Sequence, residues 1–592
     1  MSDNLNTYSV VCNGGLIKNQ DPLTLASNFS GSATRLINYE PALQGGYRKI
    51  NGYENSYGTL PGTGSTLGVF VNGNINQGIF ACRKPSSGYN YLHWFNHYYT
   101  VAVTLGTGTS FTVGETLTAV VSALDSTTTN VTGTVISTSA NTIVVDFGKL
   151  PINVFAEDNI ITGSTSAASS TVTDTPVVIG WTAVTTVGTP TFDNVSLIRI
   201  TDYNWFEEVL ILTDGINPAA KYNGTTYTQI THTNAPSDPK YAVSFANHLF
   251  LAGSSTEPYN LFFSAPLAET DFDPANGSGV INVGFNIVQI KAFRDQLYIF
   301  GKKSIKKLTG TSIADFQLQE VTSDLGCIAS DSVVEFGGDI LFLGPDGIRP
   351  VSGTAKIGDV QLETVSREIQ DIFELYTRNE NLNKIRAVVL RKKSQFRLFF
   401  ENTEALSILG GIRQSSAAQS TFEFSQLIGI GVTSVASGYV DQYEYVIHGD
   451  SNGKVHRQEI GYSFEGEPIF SLFQTPYFYM DDPEIRKAFY SVRTYMLGEG
   501  STEITVGINY NYGDSDILAP NNYLINTAGA ASYYGVSTYD STDTYDGNPT
   551  PVRKTNISGS GDSIAVSYVT TNSLPSHTIQ ALTITYGLAD RR

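Results

Sequence analysis

The sequence predicts an all-β protein built around a β-propeller of six to eight blades, with seven favoured. Between residues 195 and 460, one unit of three apolar strands separated by polar and glycine-centred turns occurs six times. Its second strands read VLILTDG (209–215), HLFLAGS (248–254), QLYIFGK (296–302), DILFLGPDG (339–347), QFRLFFE (395–401) and YVIHGDSNG (445–453). Successive copies lie about 40 to 57 residues apart, which is the length of a propeller blade.

The composition favours strands over helices. Of the 592 residues, 41% are hydrophobic and only 15% are charged, while glycine (55 residues) and tyrosine (33 residues) are abundant. Tyrosine is frequent in strands, and glycine is frequent in tight turns. The net charge of −19 makes sequence-specific nucleic-acid binding an unfavoured function, because such proteins need a basic surface. A chain of this length is expected to form two to four domains.

Four regions follow from changes in this pattern. Residues 1–97 are predicted to form an irregular lead-in that wraps the body as extended chain, followed by a first blade with a hairpin turn at Asn72-Gly73. Residues 98–191 are predicted to form a small inserted β-barrel or sandwich. Residues 192–465 carry the remaining blades, and residues 466–592 alternate apolar and polar positions as in a β-sandwich with one solvated face.

Two finer patterns support this division. Inside the insertion, FTVGETLT (111–118) is echoed by VFAEDNIITG (154–163), and each is followed by a Ser/Thr-rich strand. One helix is expected at residues 364–376, with Ser366 as its N-cap. Its apolar residues share one face at helical spacing and are expected to pack on a blade edge, namely Ile369, Ile372, Phe373 and Tyr376.

Several groups of polar residues resemble binding sites, but none is predicted to be one. His93 and His97 lie in an aromatic segment typical of a strand, without further metal ligands nearby. Asp540, Asp543 and Asp546, followed by Gly547, have a spacing of three, which does not fit a calcium loop. The segments 344–349 and 449–456 are interpreted as hairpin turns. We therefore expect no catalytic, cofactor-binding or metal-binding residues.

Cysteine usage and hydropathy point to an intracellular site of synthesis. The three cysteines are widely separated, so they are expected to be buried thiols and neither metal ligands nor disulfides, and they are Cys12, Cys82 and Cys327. The first residues lack the pattern of a signal peptide, and no apolar run is long enough to span a membrane. The expected place of assembly is a reducing cytoplasm.

Three segments together resemble a known protein family. They are NGGLIKNQDPLTL to GGYRKINGYE within residues 13–54, SDLGCIASDSVVEFGGDILFLGPDGIRPVSG at 323–353, and DDPEIRKAFYSVRTYM at 481–496 with the terminal ITYGLADRR at 584–592. Together they resemble the tail nozzle proteins of short-tailed bacteriophages, the group related to tail tubular protein B and also called stabilisation proteins. The resemblance extends over most of residues 1–97 and 192–592, and the insertion at 98–191 departs from the family pattern.

The resemblance implies a structural virion protein and no enzyme. The family's subunits form a hexameric ring at the distal end of the tail, extend and gate the channel for DNA ejection, and offer attachment surfaces for tail fibres. The implied partners are further copies of the chain, a tail adaptor or neck protein, tail fibres, phage DNA passing through the lumen without sequence specificity, and the host cell surface. The implied location is the virion, after assembly in the cytoplasm of the host bacterium.

Two alternatives stay open at this stage. A propeller could carry carboxylates at its axis and act as a polysaccharide depolymerase, with tyrosines stacking on sugars. Alternatively, the chain could be a receptor-binding tail module in which the insertion at 98–191 does the binding.

Overall fold

A computed structural model describes most of the chain. The described residues are 5–74, 78–86, 92–104, 110–122, 128–148, 153–186, 202–354, 364–379, 382–401, 405–414, 420–480, 482–514, 517, 520–526 and 552–589. Strands dominate, and the predicted all-β fold with a propeller, an inserted β-domain and a sandwich is confirmed.

The N-terminal segment contains five short strands and one helix. They are β1 (Asn6–Val11), α1 (Pro22–Asn28), β2 (Arg35–Ile37), β3 (Tyr39–Pro41), β4 (Tyr47–Lys49) and β5 (Tyr53–Glu54). Helix α1 begins where Asp21 accepts a hydrogen bond from the Thr24 backbone N–H at 2.9 Å, with proline at the first helical position. The lead-in does not simply lie on the surface as extended chain, because β1 and β4 pair with the last strand of the protein and β2 pairs with another C-terminal strand.

The first blade and the insertion share one long strand. Their strands are β6 (Thr63–Asn72), β7 (Gly78–Lys84), β8 (Leu92–Thr104), β9 (Thr116–Ser122), β10 (Thr128–Ser139), β11 (Thr142–Asp146), β12 (Ile160–Gly163), β13 (Ser169–Val172) and β14 (Val177–Ala183). The next strand, β15 (Thr185–Thr186), adds a parallel strand to the outer edge of the antiparallel sheet that forms the second blade. The start of β8 pairs with β7 in the blade, whereas its end pairs with β11 and β13. Pairing runs from β8 through β11, β10, β9, β12 and β13 and returns to β8, so the insertion is a closed six-stranded barrel.

Blades two to five are four separate antiparallel sheets. They contain β16 (Asp202–Phe206), β17 (Val209–Thr213), β18 (Ala220–Tyr222) and β19 (Thr226–Gln229); β20 (Tyr241–Phe245), β21 (His248–Ala252), β22 (Asn260–Phe263) and β23 (Gly279–Asn282); β24 (Gln289–Phe293), β25 (Gln296–Phe300), β26 (Ile305–Thr309) and β27 (Gln317–Thr322); and β28 (Val334–Phe336), β29 (Asp339–Gly344) and β30 (Gly347–Pro350). Two helices follow the fifth blade, α2 (Val351–Thr354) and α3 (Gln370–Asn379).

Blades six and seven continue into the sandwich. The remaining strands are β31 (Ile385–Leu390), β32 (Gln395–Phe400), β33 (Ser407–Gln414), β34 (Ser420–Leu427), β35 (Ser434–Val440), β36 (Tyr443–Gly449), β37 (Val455–Gln458), β38 (Ser463–Phe464), β39 (Glu467–Gln474), β40 (Lys487–Gly498), β41 (Glu503–Tyr510), β42 (Tyr523–Asn526), β43 (Val552–Asn556), β44 (Ser560–Gly561), β45 (Ile564–Asn572) and β46 (His577–Leu588). One sheet of the sandwich is built on β40 and β46, and the other on β39, β45 and β41.

Six short 3-10 helices complete the described secondary structure. They are Pro274–Asn276, Ser330–Ser332, Arg367–Ile369, Leu382–Lys384, Arg391–Lys393 and Asn511–Gly513.

Seven blades form a closed ring. Neighbouring first strands touch at β16 and β20, β20 and β24, β28 and β31, β31 and β35, and β35 and β6. The two remaining junctions are bridged by aromatic rings, Phe70 against Tyr203 at 5.1 Å and Phe300 against Phe342 at 5.6 Å between centroids. All six repeated second strands of the sequence are second strands of blades, so the favoured number of seven is correct.

Candidate functional site at the propeller axis and the seam

The first strands of all seven blades enclose a cavity at the propeller axis. Its volume is about 260 Å³, and its ionisable residues are Asp202, Lys291, Asp331, Glu335, Arg386 and Arg391. Each first strand exposes alternate side chains toward the axis, and this periodicity gathers residues separated by nearly 190 positions. A cavity of this size can hold water or a small polar molecule, but it cannot conduct a nucleic acid.

The charges in this axial cavity are balanced. Arg386 Nη1 lies 3.4 Å from Asp331 Oδ2, an ion pair across neighbouring blades five and six. Burial raises the pKa of Asp202 to about 7, although Lys291 opposes that rise. Asp202 accepts a hydrogen bond from the Tyr203 backbone N–H at 2.9 Å. The axial cavity therefore combines three acidic and three basic side chains in a polar lining.

The N-terminal strand β5 closes the ring as the outermost strand of blade seven. It pairs with β37, so Tyr53 faces Gln458 in the register. Gly52 just before it leaves no space for a side chain, because a Cβ there would lie 1.9 Å from the carbonyl oxygen of Ser463. A strand from the start of the chain therefore fastens the last blade.

A buried aromatic cluster lies beneath this closing strand. The rings of His448 and His456 stack with centroids 4.8 Å apart, and Tyr53 contacts them edge-on at 4.9 and 5.0 Å. His456 Nε2 lies 3.5 Å from Asp450 Oδ2. Burial and the neighbouring His456 lower the pKa of His448 well below its usual value. The cluster is therefore packed around a neutral His448.

A second network crosses the boundary between the sandwich and blades six and seven, which we call the seam. Glu40 on β3 is buried, with its carboxylate 2.9 Å from Arg48 Nη1 and 2.7 Å from Lys393 Nζ. Arg397 on β32 is 1% exposed and pairs with Glu459. Burial opposes ionisation of Glu459, but the charges of Lys393 and Arg397 outweigh it and hold the pKa of Glu459 below its usual value.

The seam and the ring closure are connected. Arg397 Nη1 donates to Gln458 Oε1 at 2.9 Å, and Gln458 Nε2 lies 3.2 Å from His448 Nδ1. Because Gln458 also sits opposite Tyr53, one polar chain runs from the sandwich to the closing strand. Buried polar networks of this kind are costly to break at any single member.

The structure does not bring the candidate metal ligands of the sequence together within its described part. His93 and His97 both lie on strand β8, as their context predicts, and His97 Nε2 is 3.4 Å from Asp146 Oδ1. Among the described residues, no three histidine, cysteine or carboxylate side chains gather as metal ligands would. Asp540, Asp543, Asp546 and Gly547 lie outside the described residues.

The two suspected ligand loops are hairpin turns, as expected. In the turn after β36, Asp450 Oδ1 accepts hydrogen bonds from the backbone N–H groups of Asn452 and Lys454 at 2.9 and 2.8 Å. In the turn after β29, Asp346 pairs with Arg349 of the same hairpin. Both carboxylates therefore hold turns in place.

The expected helix is present, but the cap is not. Its apolar face is buried in the core, as predicted. Ser366 is buried and does not cap the helix, because its hydroxyl instead accepts a hydrogen bond from the Ile348 backbone N–H at 3.0 Å. A 3-10 turn at Arg367–Ile369 precedes α3. Ser366 therefore lies at the start of the helical segment, as predicted, but its side chain does not bond to the helix backbone.

The three cysteines are buried free thiols, as predicted. Burial raises the pKa of Cys12 to about 12 and that of Cys327 to about 11, and it also raises that of Cys82. Thiols with such pKa values are poor nucleophiles at neutral pH. No described helix is long and apolar enough to cross a lipid bilayer.

Sequence reasoning missed the seam completely. Glu40, Arg48, Lys393, Arg397 and Glu459 are ordinary charged residues in the sequence, separated by up to 419 positions. One sequence feature could have indicated it: Arg397 interrupts the apolar segment QFRLFF. In the structure, every residue of that strand is buried. A charge within such a run indicates a buried ion pair.

Comparisons with known proteins place no family on the chain. No family model and no curated protein matches it. Structurally it is similar to Hsv2 of Kluyveromyces lactis (8% identity, 62% of this chain and 98% of Hsv2, TM-score 0.27) and to the AfRom2 CNH domain (10%, 44% and 95%, 0.27). It is also similar to the extracellular domain of a putative one-component system from B. thetaiotaomicron (10%, 86% and 49%, 0.32). Identities and TM-scores this low carry no argument about function.

Proposed function

We propose that this chain is a structural virion protein, a hexameric tail nozzle that extends and gates the DNA ejection channel of a short-tailed bacteriophage. It stands at the distal end of the tail, below an adaptor or neck protein, and offers surfaces for tail fibres. It faces the host cell at ejection.

One observation carries the proposal. The three segments that resemble nozzle proteins are far apart in the chain, yet all of them contribute to one hydrophobic core. Their core residues include Leu36, Tyr39 and Tyr47 from the first segment, Phe336, Leu343 and Ile348 from the second, and Phe489, Val492 and Ile584 from the third. The resemblance therefore falls on a single packed unit, formed by the sandwich together with the fifth blade.

The electrostatics support a conduit formed between subunits. The axial cavity of one propeller is far too small for DNA, so a channel has to be lined by the outer surfaces of several copies. A subunit with a net charge of −19 repels the phosphate backbone, which limits adhesion of DNA during passage.

The oligomeric state provides the test. Mass photometry of the purified chain, alone and mixed with the neck protein from the same particle, should show in the mixture a species that contains six copies of the 64.1 kDa chain in addition to the bound neck protein. Class averages from electron microscopy of that species should have sixfold symmetry and an open or plugged centre. A chain that stays monomeric with every neck protein of its particle would contradict the proposal.

A specific observation favours one alternative, a polysaccharide depolymerase. The axial cavity holds Asp202, whose pKa burial raises to about 7, together with the ion-paired Asp331. A carboxyl with a raised pKa is the usual general acid of glycoside hydrolysis, and a second carboxylate in the same cavity could take the other role. If this alternative is correct, the purified chain releases reducing sugar from host capsule and Asp202→Asn abolishes the release.

A further inference from the structure

A pocket of about 300 Å³ lies at the edge of the sandwich, away from the axis and the seam. It is formed by helix α1, the start of β2, the segment after β39 and the 3-10 turn Asn511–Gly513. Leu25 and Pro476 contribute to an apolar floor. A pocket of this volume is at the lower end of the range for small-molecule sites.

Two stacked tyrosines form one wall. The rings of Tyr477 and Tyr512 lie 4.0 Å apart at 29°, and the hydroxyl of Tyr512 is hydrogen-bonded to that of Tyr479. Tyr512 is 51% exposed, so part of its ring is open to solvent. An exposed aromatic face beside a pocket is a surface on which a flat or ring-shaped ligand can stack.

The backbone that presents Tyr512 is strained and firmly held. Tyr512 has φ 61° and ψ 25°, the left-handed region that non-glycine residues seldom adopt, at a cost of about 1 kcal/mol. The neighbouring Asn511 fixes the turn, because its Oδ1 accepts hydrogen bonds from the backbone N–H groups of Asp562 and Ser563 at 2.8 and 3.0 Å. The tyrosine is therefore positioned before any ligand arrives.

Two cations line the same pocket. Lys18 and Arg35 are both exposed, and among the described residues that line the pocket there is no carboxylate. Partial burial and the nearby charge of Arg35 lower the pKa of Lys18. Within the described part of the chain, neither residue forms an ion pair. In a chain of net charge −19, two adjacent unpaired cations favour an anionic ligand.

We propose that this pocket binds an anionic sugar unit of a glycan. Lys18 and Arg35 hold its carboxylate or phosphate, and the C–H face of its ring stacks on Tyr512, which Tyr477 supports from the other side. A nucleic acid fits less well, because the net charge of the subunit repels a long polyanion while a single charged sugar meets mainly the two local cations. This inference is independent of the oligomeric state, so its failure leaves the nozzle proposal standing, and the reverse also holds.

Calorimetric titration with trigalacturonate and with its neutral methyl ester tests the site on the full-length protein. We expect the acid to bind at least tenfold more tightly than the ester, and its affinity to fall as sodium chloride is raised. A phosphorylated mannose oligosaccharide in a parallel titration distinguishes phosphate from carboxylate as the preferred anion. Equal binding of acid and ester, no binding of either anionic sugar, or tighter binding of an oligothymidylate of equal charge would overturn the proposal.

Three variants assign the binding to this pocket. Lys18→Gln with Arg35→Gln should weaken binding of the anionic sugar at least tenfold. Lys302→Gln with Lys303→Gln removes the same charge from an exposed turn of blade four and should leave the affinity unchanged. Tyr512→Asn removes the ring but keeps a residue that tolerates the left-handed backbone. This variant should weaken binding of the anionic sugar at least threefold. An equal loss in the blade-four control would place the binding elsewhere.

Discussion

The propeller carries two further β-domains, and they are attached in opposite ways. The barrel is one continuous stretch of chain with its own core, and it is joined to blade one through β8 and β14. The sandwich combines strands from both ends of the chain, shares its core with blade five, α3 and blade six, and is tied to blades six and seven by buried charges. We therefore expect the barrel to be removable on its own, and the sandwich and the ring to unfold together.

Removing Glu40 should have the largest effect. Glu40→Ala leaves Arg48, Lys393 and Arg397 facing one another without this carboxylate, so we expect a loss of about 3–5 kcal/mol in the free energy of unfolding. Urea denaturation followed by tryptophan fluorescence measures the loss. Glu401→Ala removes a half-exposed partner of Lys384 at 3.7 Å and should cost less than about 1 kcal/mol. Equal losses would mean that the seam is not a critical contact.

Acidification should weaken the closed ring and the sandwich together. Burial holds the pKa of His448 well below 6.5 and that of His577 at about 3. Both stay neutral in the folded protein, while the unfolded chain takes up protons below about pH 6.5. Stability is therefore fully present above that pH and is lost as pH falls through it, by about 2 kcal/mol per histidine between pH 7 and 5.

The pH dependence of urea midpoints measures this loss. In His448→Gln, the free energy of unfolding should fall less steeply between pH 6.5 and 5, because unfolding takes up one proton fewer. An unchanged slope in that variant would contradict the role given to His448.

A smaller loss is expected from Gly52→Ala. The added methyl group meets the backbone of Ser463, so β5 has to shift away from blade seven at a cost of about 1–3 kcal/mol. Hydrogen exchange of the β37 amides should increase in this variant. Gly431→Ala is the matched control, because a Cβ at Gly431 meets nothing within 4 Å. Equal exchange rates of the β37 amides in both variants would mean that the close contact between Gly52 and Ser463 does not hold β5 in place.

Deleting the barrel should have the smallest effect. Thr100 and Val177 are paired across β8 and β14, so an Asn-Gly turn can join them in place of residues 101–176. We expect the unfolding free energy of the remainder to change by less than about 0.5 kcal/mol. If the chain is the proposed virion protein, virions carrying this deletion should assemble, and their adsorption to cells reports whether the barrel binds a receptor. Failure of the shortened chain to fold would contradict the independence of the barrel.

The sequence predicts the local part of this architecture well. Blades and barrel are built from consecutive strands, so their alternation and glycine turns are visible in the chain, and the echo in the barrel is real. Thr112 N donates to Glu115 at 2.6 Å, and Ala156 N donates to Asn159 at 2.9 Å, in two equivalent turns. The echo was visible because each turn is formed by residues three apart.

The non-local part could not be predicted in the same way. The pairings of β1 with β46 and of β5 with β37 join residues hundreds of positions apart, and no short-range pattern records them. Strands β2 to β5 of the lead-in are only two or three residues long, below the length at which alternation is recognisable. The residues of the seam and of the axial cavity come together only when distant parts of the chain pack against one another, so a local sequence pattern does not reveal them.

Electron microscopy of purified tails tests the proposed function, with an affinity tag inserted into the barrel for gold labelling. If the chain is a tail nozzle, six labels should lie around the distal end of the tail, outside the DNA channel. Labels elsewhere on the virion, or tails of normal structure that lack the protein, would contradict the proposal.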